Sequence, residues 1–287
     1  MTGTGPNVPL IQAVDKSGFP FQLAVTRELK KLGQKHSWPV VVPEVPVGDT
    51  FADIVLRRPG FLGVVECKRV EEEKWHFLVP KGASANVGRC RIEWHNPRAA
   101  ELPMHAKLSR NPATRVFCSE CVMAEGSYES SVCVVPKGKA VPSLEAVCGE
   151  LLDTVHALGD KFELKYDNEP NYLIPVIVTN AELSVCEYDA DALDINLGRL
   201  GAADFKSADF IRFRKTLVSR GSNDYEWDRL VTLGEWTSDR ERTVFVVTPK
   251  GLNQFLAGFR KFGPASGKQY PEEFENPPTY GDGRDRE

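Results

Sequence analysis

Apolar positions along this chain recur with two periods, and the switches between those periods lay out its elements. Between 21 and 32, Phe21, Ala24, Val25, Leu29 and Leu32 share one face at helical spacing, with Gly33 as the stop. Three short apolar runs follow at 40–45, 51–56 and 61–67, and Arg58-Pro59-Gly60 makes the turn between the second and third. The pattern predicts a helix and then a tight antiparallel meander of three strands. From 70 to 140 it is less regular, with β-like runs at 114–123 and 131–135 among scattered Pro and Gly. A helix returns at 143–158, where Leu144, Val147, Leu151, Val155 and Leu158 form one stripe and Ser143 and Glu145 suit its first turn. The run 172–179 reads as a buried strand and 182–188 as its neighbour, followed by a strand at 243–248 and a short helix at 252–262. The expectation is one α/β domain over 19–262, with a large insertion at about 70–140 and a C-terminal elaboration. A loose arm at 1–18 and a disordered tail at 263–287 flank it.

Composition changes this picture little and charge narrows it. A chain of 287 residues, 41% hydrophobic and 26% charged, is ordinary for a globular protein able to bury a full core. A net charge of −4 confines any nucleic-acid surface to a local cleft or patch. No apolar stretch approaches the roughly 18 residues needed to cross a bilayer, so no membrane is expected. Seven cysteines, an odd number spread along the chain, suit reduced thiols in a cytoplasmic protein better than a disulfide framework. Phosphate-cradling Gly-Lys-Ser/Thr loops, dinucleotide-binding glycine turns and Gly-x-Ser-x-Gly elbows are all missing, which removes ATP-driven and serine-hydrolase readings.

The chemistry concentrates in the meander. Asp53 falls in the second strand, and Glu66-Cys67-Lys68 closes the third, directly after an apolar run. Side chains two apart on a strand share a face, so Glu66 and Lys68 point one way and Cys67 points to the core. A hairpin turning at 58–60 brings Asp53 across from Glu66. Two hard oxygen ligands in an open site suit Mg2+, which keeps several waters and binds substrate phosphate. Glu-x-Lys also occurs at Glu28–Lys30, Glu72–Lys74 and Glu163–Lys165, but only Glu66–Lys68 ends an apolar strand with a strand acid upstream.

In these residues the chain resembles the PD-(D/E)xK, restriction-endonuclease-like nucleases. Their motif is matched by Asp53, a spacer of twelve residues and Glu66-Cys67-Lys68; Ala52 stands where the motif has proline. The resemblance is close over about 20–69 and resumes more loosely with the helix near 143–158 and the strand near 172–179. It implies a core of helix, three-strand antiparallel meander, helix and strand. It also implies a Mg2+-dependent hydrolysis of DNA phosphodiester bonds, with Mn2+ able to substitute, by an endonuclease of a restriction, repair or anti-phage system. Asp53, Glu66 and the Cys67 backbone carbonyl are then the metal ligands, and Lys68 positions water or stabilises developing charge. Glu28, on the stripe of Phe21, Val25 and Leu32, matches the extra carboxylate that some members take from the first helix. A homodimer is implied if both strands of a duplex are cut. The alternative is a catalytically inactive nuclease-fold subunit that binds nucleic acid or partner proteins in a larger complex.

Other features are weaker signals. Residues 210–215 alternate apolar and basic positions, so Arg212 and Arg214 share a face; with Lys215, and with Arg69 beside the triplet, they are candidate phosphate contacts. The competing reading of that run is a solvated edge strand. Cys118 and Cys121, with Cys133 and Cys90 or His95, have the makings of a structural Zn2+ site but lack a companion pair, and core cysteines are the simpler reading. The five histidines show no ligand spacing, and His156, on an amphipathic helix, reads as structural.

Overall fold

The computed structural model describes residues 8–71, 73–82, 88–95, 116–123, 127–136, 144–161, 171–201, 203–216 and 241–258. The first apolar stripe becomes helix α2 (Phe19–Lys35), opened by Pro20 in its first turn and burying Gln22, Val25, Thr26, Leu29, Leu32 and Gly33. Gly33 is not the stop that the pattern predicts. The helix ends two residues later, where Ser37 turns to φ 60° and the Trp38 N–H donates to the Gly33 carbonyl at 2.8 Å, and a Cβ at Gly33 would lie 2.5 Å from the Trp38 oxygen. Gly33→Ala is therefore expected to lower the melting temperature. A clash costing about 1–3 kcal/mol outweighs alanine's helix-propensity gain of about 1 kcal/mol, and a thermal melt checks the sign. Within the expected arm at 1–18, Val8–Lys16 forms helix α1.

The meander is observed as β1 (Val40–Val47), β2 (Thr50–Arg58) and β3 (Phe61–Lys68), antiparallel throughout, with Gly60 at φ 77° in the predicted turn. Helix α3 (Leu144–Lys161) leads to β9 (Asn171–Thr179), which runs parallel to β3 and is buried at every residue from Tyr172 to Thr179. Between β3 and α3 the chain forms β4 (Lys74–Pro80), β5 (Gly88–His95), β6 (Val116–Met123), β7 (Tyr128–Ser130) and β8 (Cys133–Val134). After β9 come β10 (Glu182–Tyr188), β11 (Ala203–Ser207), β12 (Phe210–Thr216), β13 (Glu241–Val247) and helix α4 (Leu252–Gly258).

These strands make a nine-stranded mixed sheet, ordered β1-β2-β3-β9-β13-β12-β7 with β5 pairing β9 and β6 pairing β5, and a four-stranded sheet ordered β11-β10-β4-β8. The chain is thus mixed α/β. On one face of the large sheet, α2 and α4 cover a core containing Leu29, Ile54, Val65, Val176 and Phe255. On the other, α3 and the small sheet share a second core in which Val64, Leu151 and Ile177 meet Trp75, Phe77 and Val185. Residues 182–188 do not pair with 172–179 as the apolar pattern implies. Both edges of β9 are taken, by β3 on one side and by β13 and β5 on the other, so β10 crosses to the small sheet beside β4. The expected tail at 263–287 lies outside the described residues.

Candidate active site

The β2–β3 register pairs Arg58 with Phe61 and Ile54 with Val65, and the next position sets Asp53 opposite Glu66. Asp53 Oδ2 accepts the Cys67 backbone N–H at 2.7 Å, which ties the carboxylate to the strand carrying Glu66. Cys67 packs toward the α2-side core, so the strand's alternation leaves Glu66 and Lys68 on the α3 side, with Leu62 and Val64. Parallel pairing continues to Lys68 and Thr179, which places the group at the carboxyl ends of β3 and β9, where open α/β sheets bind their ligands. The Asn180 side chain clamps the chain just beyond: its Oδ1 accepts the Val70 N–H at 2.7 Å and its Nδ2 donates to the Val70 carbonyl at 2.9 Å.

Electrostatics single out the same pair. Burial pushes the Glu66 carboxyl up to about 7; the Asp53 charge adds to the rise, Lys68 opposes it and Glu150 adds a little. Asp53 is also raised, by burial first, against the Cys67 hydrogen bond and with help from Glu44. The Cys67 thiol is pushed far up by burial and by the two carboxylates, which removes it as a nucleophile.

Two contributors escape the sequence reading. Glu44 lies opposite Asp53, between the pairs Pro43–Ile54 and Val45–Ala52, with φ at 51°, an uncommon conformation for a residue other than glycine. Glu150 comes from α3, close enough for its charge to act on Glu66. The prolines flanking Glu44 were a faint signal for the first; the second had none, because α3 is remote in sequence. The side chain that α2 sends toward the site is Gln22, whose Nε2 donates to the Asp53 carbonyl at 3.2 Å. Glu28 instead pairs with Lys31 one turn on, at 3.6 Å, on the half-exposed side of α2. Val25, Leu29 and Leu32 of the stripe are buried as the pattern predicts, and Glu28 lies at its edge.

The proposed phosphate contacts divide. Arg69 is half-buried next to the triplet. Arg212 is only 2% exposed: its Nε donates to Ser127 Oγ at 2.8 Å and its Nη1 to Glu129 at 2.9 Å. Arg214 is held by Glu241 at 2.9 Å, and Lys215 by Glu145 at 2.8 Å. The run 210–215 is therefore not a solvated edge, because β12 lies between β13 and β7, and its cations are paired with carboxylates. Arg58 is likewise structural, its guanidinium 4.3 Å from the Phe61 ring centroid and 4.9 Å from that of Trp38. His156 has the expected structural role, paired with buried Glu93.

Among the described residues no group of three or more His, Cys, Asp or Glu side chains is placed to hold a metal ion. The donor set that fits a divalent cation is smaller and harder: two half-buried carboxylates that repel one another beside a backbone carbonyl, a charge a dication would relieve. Cys121 stands opposite Cys90 on the β5–β6 ladder, but the Cys118 and Cys121 side chains lie outside the described ones. Cys133 is in the other sheet, beside Cys148 of α3. No helix among the described residues is long and apolar enough to cross a membrane. Compared with protein-family models, curated proteins and solved structures, the chain matches none.

Proposed function

We propose that this chain is a metal-dependent nuclease that hydrolyses DNA phosphodiester bonds, acting as an endonuclease in a restriction, repair or anti-phage setting. The observation that carries the reading is Asp53 set opposite Glu66, with Lys68 on the face of Glu66 at the end of a buried parallel strand. The element order supports it: α2, the β1–β3 meander, α3 and a β9 parallel to β3 follow the succession implied by the PD-(D/E)xK resemblance. Asp53, Glu66 and the Cys67 carbonyl would hold the ion. When bound, Mg2+, or Mn2+ in its place, supplies the charge that polarises a phosphate and acidifies water. The chain's own groups do the rest. Lys68 meets negative charge as it grows on the phosphate oxygens. Gln22 and the Cys67 N–H hold Asp53 in place.

Two measurements test this. Millimolar Mg2+ or Mn2+ is expected to raise the melting temperature of the wild type and to leave Asp53→Asn unmoved, because only a ligand that binds the folded form stabilises it. Incubation with circular plasmid, linear DNA and RNA, each with Mg2+, Mn2+ or EDTA, is expected to show metal-dependent cleavage, with opening of the circle marking an endonuclease. Nucleic-acid binding without cleavage under any metal would instead identify a catalytically inactive subunit of a larger complex.

A further inference from the structure

Among the apolar surfaces that the described residues leave open to solvent, two are rimmed by opposite charge. Leu10, Ile11 and Val14 line one side of α1, and Phe19 and Leu23, one turn apart on α2, add to the exposed apolar surface, Leu23 being 67% exposed. Exposed Arg27, Lys30 and Lys31 follow along α2. The second face is the connection from β10 to β11, exposed throughout 189–201. Its tip is a built turn. Asp194 Oδ1 accepts the backbone N–H groups of Asn196 at 2.8 Å and Leu197 at 3.0 Å, the Gly198 N–H donates to the Asp194 carbonyl at 2.8 Å, and Asp194 bridges to Arg199. Those bonds hold Ile195 at 95% exposure and Leu197 at 62%. Within the arm Asp189, Asp191 and Asp194 stand against a single cation, Arg199.

A hydrogen-bonded turn that presents isoleucine and leucine to water, inside a charged rim, has the marks of a partner site. The basic, apolar α1–α2 face has the complementary chemistry, yet both faces remain exposed in one folded chain, so they can meet only between copies. We propose that the 189–201 arm of one copy seats Ile195 and Leu197 on the α1–α2 face of a second copy, with its aspartates toward Arg27, Lys30 and Lys31. Two copies that exchange arms about a two-fold axis satisfy both arms and both faces at once; copies that meet head-to-tail instead assemble into a closed ring or an open chain. The contact is independent of the metal-site reading.

Sedimentation velocity of the full chain tests it. The wild type is expected to associate as concentration rises. Ile195→Asp and Leu23→Asp, both surface changes that leave the melting temperature in place, should each weaken association at least about tenfold. The decisive sample is the mixture of those two variants: each retains the half that the other lacks, so together they should form a dimer of one of each and stop there. A wild type that stays monomeric up to its solubility limit would overturn the proposal. So would self-association of either variant at wild-type strength, or a mixture that remains monomeric.

Discussion

Alanine at Asp53 is expected to lower metal-dependent cleavage by about a hundred- to a thousandfold, the scale on which removing one preorganised charge or donor acts, while the protein still folds. The stability side is the sharper half of the prediction. Asp53 and Glu66 face each other half-buried, and the Asp53 charge adds to the cost of ionising Glu66. Asp53→Asn keeps an acceptor for the Cys67 N–H and removes that repulsion, so in EDTA it should melt above the wild type. The pH dependence has a definite sign. A carboxyl raised from 4.5 to about 7 favours its neutral form in the fold, so its stabilising share is whole below pH 4.5 and is lost as pH rises through about 7. Metal-free wild type should therefore lose stability on passing from about pH 6 to pH 8. Asp53→Asn should lose less over that interval, because its Glu66 titrates lower. Thermal melts in EDTA at the two pH values check both statements.

Glu93→Ala is expected to be the most destabilising single change, at about 3–5 kcal/mol, because it leaves buried cations without their counter-charge. Glu93 is 2% exposed on β5; it pairs with His156 of α3 and accepts a 2.9 Å bond from Arg242 Nε on β13. The loss should appear as a fall in melting temperature of roughly 6–20 °C. Burial alone would raise the Glu93 carboxyl, but the charges and hydrogen bonds of His156 and Arg242 overcome it and hold it below its usual value. Burial would likewise lower His156, yet Glu93 lifts it above 6.5. The share due to Glu93 is thus present above pH 4.5 and lost as pH falls through its lowered value. The share due to His156 is present below pH 6.5 and lost as pH rises through its raised value. The difference in stability between wild type and Glu93→Ala should accordingly shrink as the solution is made alkaline; a constant difference would contradict the pairing.

The residues that reveal the site in the sequence are those whose environment is local. Val64 and Val65 run straight into Glu66, the turn at 58–60 sets the hairpin, and the two-residue alternation separates Cys67 from Glu66 and Lys68. The opposition of Asp53 and Glu66 follows from those local features. What stayed hidden depends on residues distant along the chain. Arg212 and Arg214 alternate with phenylalanine and isoleucine as a phosphate-binding strand would, but Glu129 and Glu241 arrive from elsewhere to neutralise them. Glu28 sits one residue from the buried stripe of α2, and a helix of that amphipathicity does not reveal which of two neighbouring positions turns inward. The second sheet is illegible because β4 and β10 pair in parallel across more than a hundred residues. The crossing at Asn180 is forced by occupied edges of β9, not by any turn motif.

The most direct measurement is cleavage of plasmid DNA by wild type and Lys68→Ala side by side, in Mg2+ and in EDTA, with melting curves to show that both are folded. Metal-dependent cleavage by the wild type, abolished by EDTA and lost in Lys68→Ala, is the predicted result. Cleavage that survives EDTA, or that Lys68→Ala performs as fast as the wild type, would contradict a nuclease centre built on Asp53, Glu66 and Lys68.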